Sequence, residues 1–367
     1  MNQNILGDII QMSYKMKNVK TPIYIFSKEK IINNYNKMKS LLSECEVYYA
    51  LKANSRKEVI SVLNNNNCRF EFASIGEFEK LRNCNVNVNE AICGLPIKKI
   101  DLLNHTYEKG CRYYVFDSIE EYVKLLQYTP KAKKVMRIYV KDIVENANEF
   151  GMSINDIENF INEYSNNFDG ITFHLWCNYK IENLKIILKR VDNILKRLRI
   201  EKKFIVNIGG SYRSEHFDET AKKYDLSIFF NELTRILRNL KNKYGVKVYA
   251  EPGRGIINSA GEIITQIVHI RDFNGIKKVY IDAGKPIGLG PSNITREIIP
   301  LSSLSSSKEE ITYDFYDITC LNEKLFTFKT KLILSENEIL KIPNCGAYNI
   351  CFASDFHSWG KPKVVFK

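Results

Sequence analysis

Short apolar runs and longer amphipathic stretches alternate along most of this chain. Runs rich in β-branched and aromatic residues fall near 47–51, 69–72, 90–93, 112–116, 134–139, 170–175, 203–208 and 246–250. Between them the apolar positions recur at helical spacing, as in Lys57–Leu63, Ile75–Leu81, Ile119–Leu126, Ile154–Tyr164 and Ile181–Leu198. Eight strands with intervening helices predict an α/β protein, a (β/α)8 barrel of the TIM type rather than an open sheet.

After Ala260 the rhythm changes. Gly, Pro and Ser become common, helices become scarce, and strand-like runs appear at 262–269, 278–282, 311–316, 325–333 and 337–342. These predict a second, mostly β domain of sandwich-like or barrel-like form. Thr21–Phe26 precedes the first helix and reads as a strand of that domain, whereas 301–310, LSSLSSSKEE, reads as an exposed loop. The expected division is 28–260 for the barrel and 1–27 plus 261–367 for the β domain.

Composition narrows the class. With 367 residues, 44% apolar and 26% charged, the chain reads as an ordinary globular protein. No uncharged apolar run approaches the roughly 20 residues a membrane span needs, and the first residues lack the pattern of a signal peptide. A cytoplasmic protein with no membrane partner is the expectation. The nine Cys contain no C-x-x-C pair and the five His show no metal-ligand spacing, so neither a disulfide framework nor a metal is expected. The net charge of +12 reads as a solvated basic surface. It would suit an acidic partner such as a carrier protein, but no zinc finger, RNP-type segment or concentrated basic cluster points to nucleic acid.

The candidate chemistry lies at the ends of the predicted barrel strands, where such barrels gather their active sites. Lys52 ends the first run, where partial desolvation would lower its pKa and favour attack on a carbonyl. Glu71 sits in the second run, Arg137 in the fifth and His174 in the sixth. Gly209, Gly210 and Ser211 follow the seventh; Glu251, Gly253 and Arg254 follow the eighth. A carboxylate, a Pro-Gly turn and exposed backbone N–H groups are what a pyridine nitrogen and a phosphate require. With the lysine they suggest an enzyme using pyridoxal 5′-phosphate (PLP).

The motifs that carry a resemblance are YALKAN at 49–54, FEFAS at 70–74, FDSIEE at 116–121, EFG at 149–151, FH at 173–174, IGGS at 208–211, EPGRG at 251–255 and CGAY at 345–348. In this order and spacing, from Thr21 onward, the chain resembles the ornithine/diaminopimelate family of PLP-dependent decarboxylases. That family pairs an alanine-racemase-like (fold-type III) barrel with a C-terminal β domain. The resemblance implies that Lys52 holds PLP as a Schiff base and later returns a proton. It implies that Glu251 faces the pyridine nitrogen and that His174 stacks on the ring. Gly209, Gly210, Ser211, Gly253 and Arg254 would cradle the phosphate, with a hydroxyl from Tyr348. Glu71 and Arg137 would support the site, and Cys177 would lie beside the cofactor. Cys320 matches the cysteine that protonates the carbanion, contributed in the family by a partner subunit. A homodimer with shared active sites is therefore implied, with Cys320 and Tyr348 both in the β domain.

The departures from the family pattern cluster where substrate is read. His174-Leu175-Trp176-Cys177 stands where His-Val-Gly-Ser is usual, and Asp317-Ile318 where Gly-Pro is usual. Leu321 follows the reactive cysteine in place of the acid that ornithine and diaminopimelate decarboxylases carry. Gly290 replaces an Arg before Pro291, and Lys324 stands near a usual Asp. The stretch Asp282–Leu301 is similar to branches from siderophore and antibiotic biosynthesis, some acting on acylated or carrier-bound amino acids. There Lys285, Arg213 and Lys324 would meet an anionic distal group. The expected function is decarboxylation of an α-amino acid other than simple ornithine or diaminopimelate. A racemase or epimerase on the same fold, or a non-catalytic homologue acting as a regulatory binding protein, are the alternatives.

Overall fold

The computed structural model describes residues 20–164, 167–176, 180–198, 200, 204–212, 225–290, 296–302 and 304–367. The described residues form two compact units, one of residues 31–256 and one of residues 20–30 with 257–367.

The first unit is a closed barrel of eight parallel strands: β2 (Glu46–Ala50), β3 (Arg69–Phe72), β4 (Ile92–Cys93), β5 (Tyr113–Phe116), β6 (Lys133–Arg137), β7 (Gly170–Thr172), β8 (Ile205–Asn207) and β9 (Lys247–Ala250). Strand β9 pairs back onto β2 through Glu46 and Tyr249, which completes the circle. Period-two alternation decides which side chains face inward. Tyr48, Ile92, Val115, Val135, Ile205 and Tyr249, from six strands, pack into one buried cluster. In β3 the polar Arg69 and Glu71 share one face, while Phe70 and Phe72 are buried on the other. Arg69 pairs with Glu46 and, at 3.3 Å, with Glu90 toward the N-terminal ends of the strands. That leaves Glu71 at the opposite end.

Capping chemistry fixes where the surrounding helices begin. The Ser74 hydroxyl accepts from the Glu77 N–H at 3.2 Å, and the Glu77 carboxylate accepts from the Ala73 N–H at 2.8 Å, starting helix Ile75–Asn83. The Ser118 hydroxyl caps Ile119–Tyr128 by accepting from the Glu121 N–H at 3.2 Å. Asp225 accepts from Ser227 and Ile228 to start Leu226–Tyr244, which stops at Gly245 in the left-handed region, φ +65°. All eight barrel strands point the same way, so their C-terminal ends form one mouth.

The second unit is mostly β, as expected. Its eight-stranded sheet contains β1 (Ile23–Phe26), β10 (Gly261–Phe273), β11 (Ile276–Ile281), β12 (Ile299–Pro300), β13 (Ser306–Asp317), β14 (Lys324–Leu332), β15 (Ile339–Ile342) and β16 (Lys363–Phe366). Ile23, Ile25, Ile264 and Leu301 form a buried cluster under it. The expected loop over 301–310 is a correction. From Ser306 this segment is already strand β13, paired antiparallel with β14, and its polar side chains stay largely outside. Backbone pairing makes the strand there, and side-chain composition carries no signal of it.

Candidate active site

The barrel mouth is built from short segments that follow the strands. After β2 a single 3-10 turn, Leu51–Ala53, carries Lys52 between two fully buried neighbours. Asn54 anchors that turn: its carbonyl accepts from the Tyr49 hydroxyl at 3.0 Å and its side-chain oxygen from the Arg56 N–H at 3.2 Å. The Lys52 ammonium stands 3.3 Å from the buried Glu71 carboxylate, yet the lysine side chain remains 46% open. The desolvation expected at Lys52 is therefore only partial. Glu71 passes Gly94 so closely that a Cβ there would lie 2.3 Å from its Oε1.

Across the mouth Glu251 follows β9. Its N–H donates to the Gly209 carbonyl at 2.7 Å and its Oε1 accepts from Asn207 Nδ2 at 2.6 Å. Burial, reinforced by the charge of Glu71, pushes the Glu251 carboxyl up to about 7, while Lys52, Asn207 and Arg137 oppose the shift. Arg137 ends β6, bonds Asn148 at 3.1 Å and lies over the Phe150 ring. Thus the EFG segment lies alongside the Arg137 side chain.

His174 stands two residues beyond β7. Its Nδ1 accepts from the Gly210 N–H at 3.2 Å, which puts the proton of the neutral ring on Nε2, 3.0 Å from the Ser211 hydroxyl. Burial, with the charges of Lys52 and Arg137, pushes its pKa down to about 3, so the ring is neutral at physiological pH. Gly209 has φ +67°, and a Cβ at Gly210 would meet the Glu251 carbonyl at 2.5 Å. These two glycines bring β7, β8 and β9 together as much as they shape a binding loop. The Gly209 N–H is directed at Asn207 Oδ1, 2.9 Å away.

Lys52, Glu71, Arg137, His174, Gly209, Gly210, Ser211, Glu251, Gly253 and Arg254 all belong to the barrel unit. Cys320 and Tyr348 belong to the other unit. Cys320 is exposed in the turn between β13 and β14, and Tyr348 takes a left-handed conformation, φ +56°. Asp317 is buried and shapes that turn, with Oδ1 accepting from the Thr319 N–H and hydroxyl at 3.0 and 2.8 Å. The two lysines expected to await an anionic group are engaged elsewhere. Lys285 pairs with Glu323 at 2.6 Å and Lys324 with Asp314 at 2.8 Å. Cys177, Arg213 and Pro291 lie outside the described residues.

Sequence reasoning missed Asn207, the buried polar residue that ties Glu251 to the Gly209 turn. Its signal was a lone amide at the end of the apolar run Phe204–Val206.

The donor set fits PLP. Glu251 is a buried carboxyl that resists carrying a charge alone, which suits a protonatable ring nitrogen opposite it. Lys52 supplies the amine in the same mouth, and a neutral flat imidazole is held at the mouth's glycine turn by the Gly210 N–H. The comparisons agree. Residues 28–258 match the family model of the pyridoxal-dependent decarboxylase, pyridoxal binding domain. A probable ornithine decarboxylase of Dictyostelium discoideum is 23% identical over 92% of this chain and 77% of its own. The diaminopimelate decarboxylase of Helicobacter pylori is 23% identical over 94% and 89%. In structure, the arginine decarboxylase of Paramecium bursaria Chlorella virus superposes with a TM-score of 0.86 at 20% identity, over 98% of this chain and all of that one. This chain belongs to the PLP-dependent amino-acid decarboxylases.

Among the described residues no helix is long and apolar enough to cross a membrane, and no cluster of three potential metal ligands occurs.

Proposed function

We propose that this protein decarboxylates an α-amino acid whose side chain ends in a neutral group, such as an acylated or carrier-tethered amine. Lys52 would hold the cofactor through its aldehyde carbon. When bound, PLP supplies the electron sink for the pair left on the α-carbon as CO2 departs. Glu251 would keep a proton at the ring nitrogen, and neutral His174 would cover one ring face. Ser211, Gly210, Gly253 and Arg254 would face the phosphate, joined by the Tyr348 hydroxyl; Gly209 would contribute its conformation rather than its N–H. Arg137 and Glu71 would set the charge around Lys52. In a homodimer, the partner subunit's Cys320, or Lys52 itself, would return a proton to the α-carbon.

The observation that carries the decarboxylase reading is Glu251: a carboxyl in the Lys52 mouth whose raised pKa favours a proton shared with a ring nitrogen. The neutral side chain is supported by the turn after β13. Leu321, next to Cys320, is apolar and 47% exposed, Asp317 is buried with its Oδ1 held by the turn, and Lys285 and Lys324 are paired.

A CO2-release screen tests this. Ornithine, lysine, arginine and diaminopimelate would be compared with Nδ-acetylornithine and Nε-acetyllysine. An acylated substrate should exceed its parent by at least about tenfold in kcat/KM, roughly 1.4 kcal/mol of selectivity. Fastest turnover of free ornithine, lysine, arginine or diaminopimelate would contradict it.

A further inference from the structure

The carboxylate of Glu251 does not stand alone in the barrel. Asn207, the last residue of β8 and fully buried, reaches it with Nδ2 at 2.6 Å. The opposite end of the same amide is fixed, since Oδ1 accepts from the Gly209 N–H at 2.9 Å. A backbone N–H can only donate, so the oxygen of this amide must face Gly209 and the NH2 must face Glu251. The amide cannot be turned over without setting donor against donor. A third bond closes the ring, from the Glu251 N–H to the Gly209 carbonyl at 2.7 Å.

We propose that Asn207 is a positioning residue that dedicates Glu251 Oε1 to an internal hydrogen bond and leaves Oε2 as the oxygen that exchanges a proton with the cofactor nitrogen. This rests on the reading of Lys52 and Glu251 given above. A buried carboxyl with both oxygens unconstrained could protonate on either and rotate between them. With Nδ2 aimed at Oε1, that oxygen must act as acceptor, and a proton on the carboxyl resides on Oε2. One amide thus selects the working oxygen and ties it to the glycine turn that also holds His174 through the Gly210 N–H.

Asn207→Asp separates this role from a merely structural one. An aspartate can still accept from the Gly209 N–H, so the turn survives, but it cannot donate to Glu251. It sets a second acid against the first, and two such acids share one proton. The holoprotein's visible absorption would be titrated from pH 5 to 9, alongside kcat and KM for the best substrate of the screen. Asn207→Asp should remain coloured, with the spectroscopic midpoint raised by about one unit or more. Its kcat should fall at least about tenfold with KM nearly unchanged. If it does not fold, Asn207→Ala replaces it, because a methyl can neither donate to Glu251 nor accept from Gly209; an upward midpoint shift is again expected. Coloured wild-type and variant proteins that titrate alike would overturn this inference alone. A colourless wild type would overturn the Lys52 reading, and this inference with it.

Discussion

Lys52 and Glu71 form an ion pair with an asymmetric environment: the carboxylate is buried, while the ammonium 3.3 Å away lies on a side chain half open to solvent. Glu71 also adds to the pressure that keeps Glu251 protonated. One carboxylate thus bears on both the amine and the acid of the site.

Glu71→Gln should therefore act on Glu251 at a distance. Removing the negative charge relieves part of the upward push, so Glu251 should lose its proton at lower pH. The spectroscopic midpoint of the holoprotein should move down, and kcat should drop at neutral pH. A pH titration of the variant beside wild type checks the sign, and an upward move would refute the coupling.

The cofactor-free protein should reveal Glu251 and His174 through opposite pH dependences. The Glu251 pKa is raised in the fold, from 4.5 to about 7. Its favourable contribution is present below the unfolded pKa and disappears as pH rises through about 7, by up to about 3 kcal/mol. The His174 pKa is lowered, from 6.5 to about 3, so its contribution is present above 6.5 and disappears as pH falls toward 3. Over pH 4.5 to 6.5 the two slopes oppose each other, so urea unfolding from pH 4 to 8 should show Glu251→Gln unmasking a rise of stability with pH in that range and removing the loss as pH approaches 7.

Gly94→Ala should displace Glu71, since the new Cβ would lie 2.3 Å from Oε1 and 2.8 Å from Cδ and Cγ of that side chain. Overpacking of this kind costs about 1–3 kcal/mol. Thermal melts should show that loss, and the holoprotein midpoint should shift in the same direction as in Glu71→Gln.

Trp176 holds a left-handed backbone, φ +52°, with its indole 48% exposed and edge-on to His174 at 5.9 Å. A bulky residue pays about 1–2 kcal/mol for that conformation. Trp176→Gly should therefore melt no lower than wild type, while KM for the preferred substrate rises several-fold. Trp359 is the other tryptophan in the chain. In a Trp359→Phe background, indole emission should be quenched as PLP binds, and unquenched emission would remove Trp176 from the site.

The barrel was legible because its strands bury apolar residues while its helices keep helical spacing, so every barrel strand fell inside or beside an expected run. The ends were less legible. The run 170–175 is strand only as far as Thr172, although the Phe173 N–H still donates to the Asn207 carbonyl at 3.1 Å. Ile138 continues β6 only as a bridge to Met152. Strand β13 was expected only over 311–316; its first half was hidden in a Ser, Lys and Glu segment whose order comes from pairing with β14. Lys52, His174 and Glu251 were visible through motif spacing. Asn207 was not, since one amide in an apolar run gains meaning only when β8 and β9 lie side by side.

Borohydride reduction of the PLP-loaded protein, followed by peptide mapping, tests the central claim most directly. The account expects loss of colour with a reduced pyridoxyl adduct on Lys52, and no adduct in Lys52→Ala. An adduct confined to another lysine, or none at all, would contradict it.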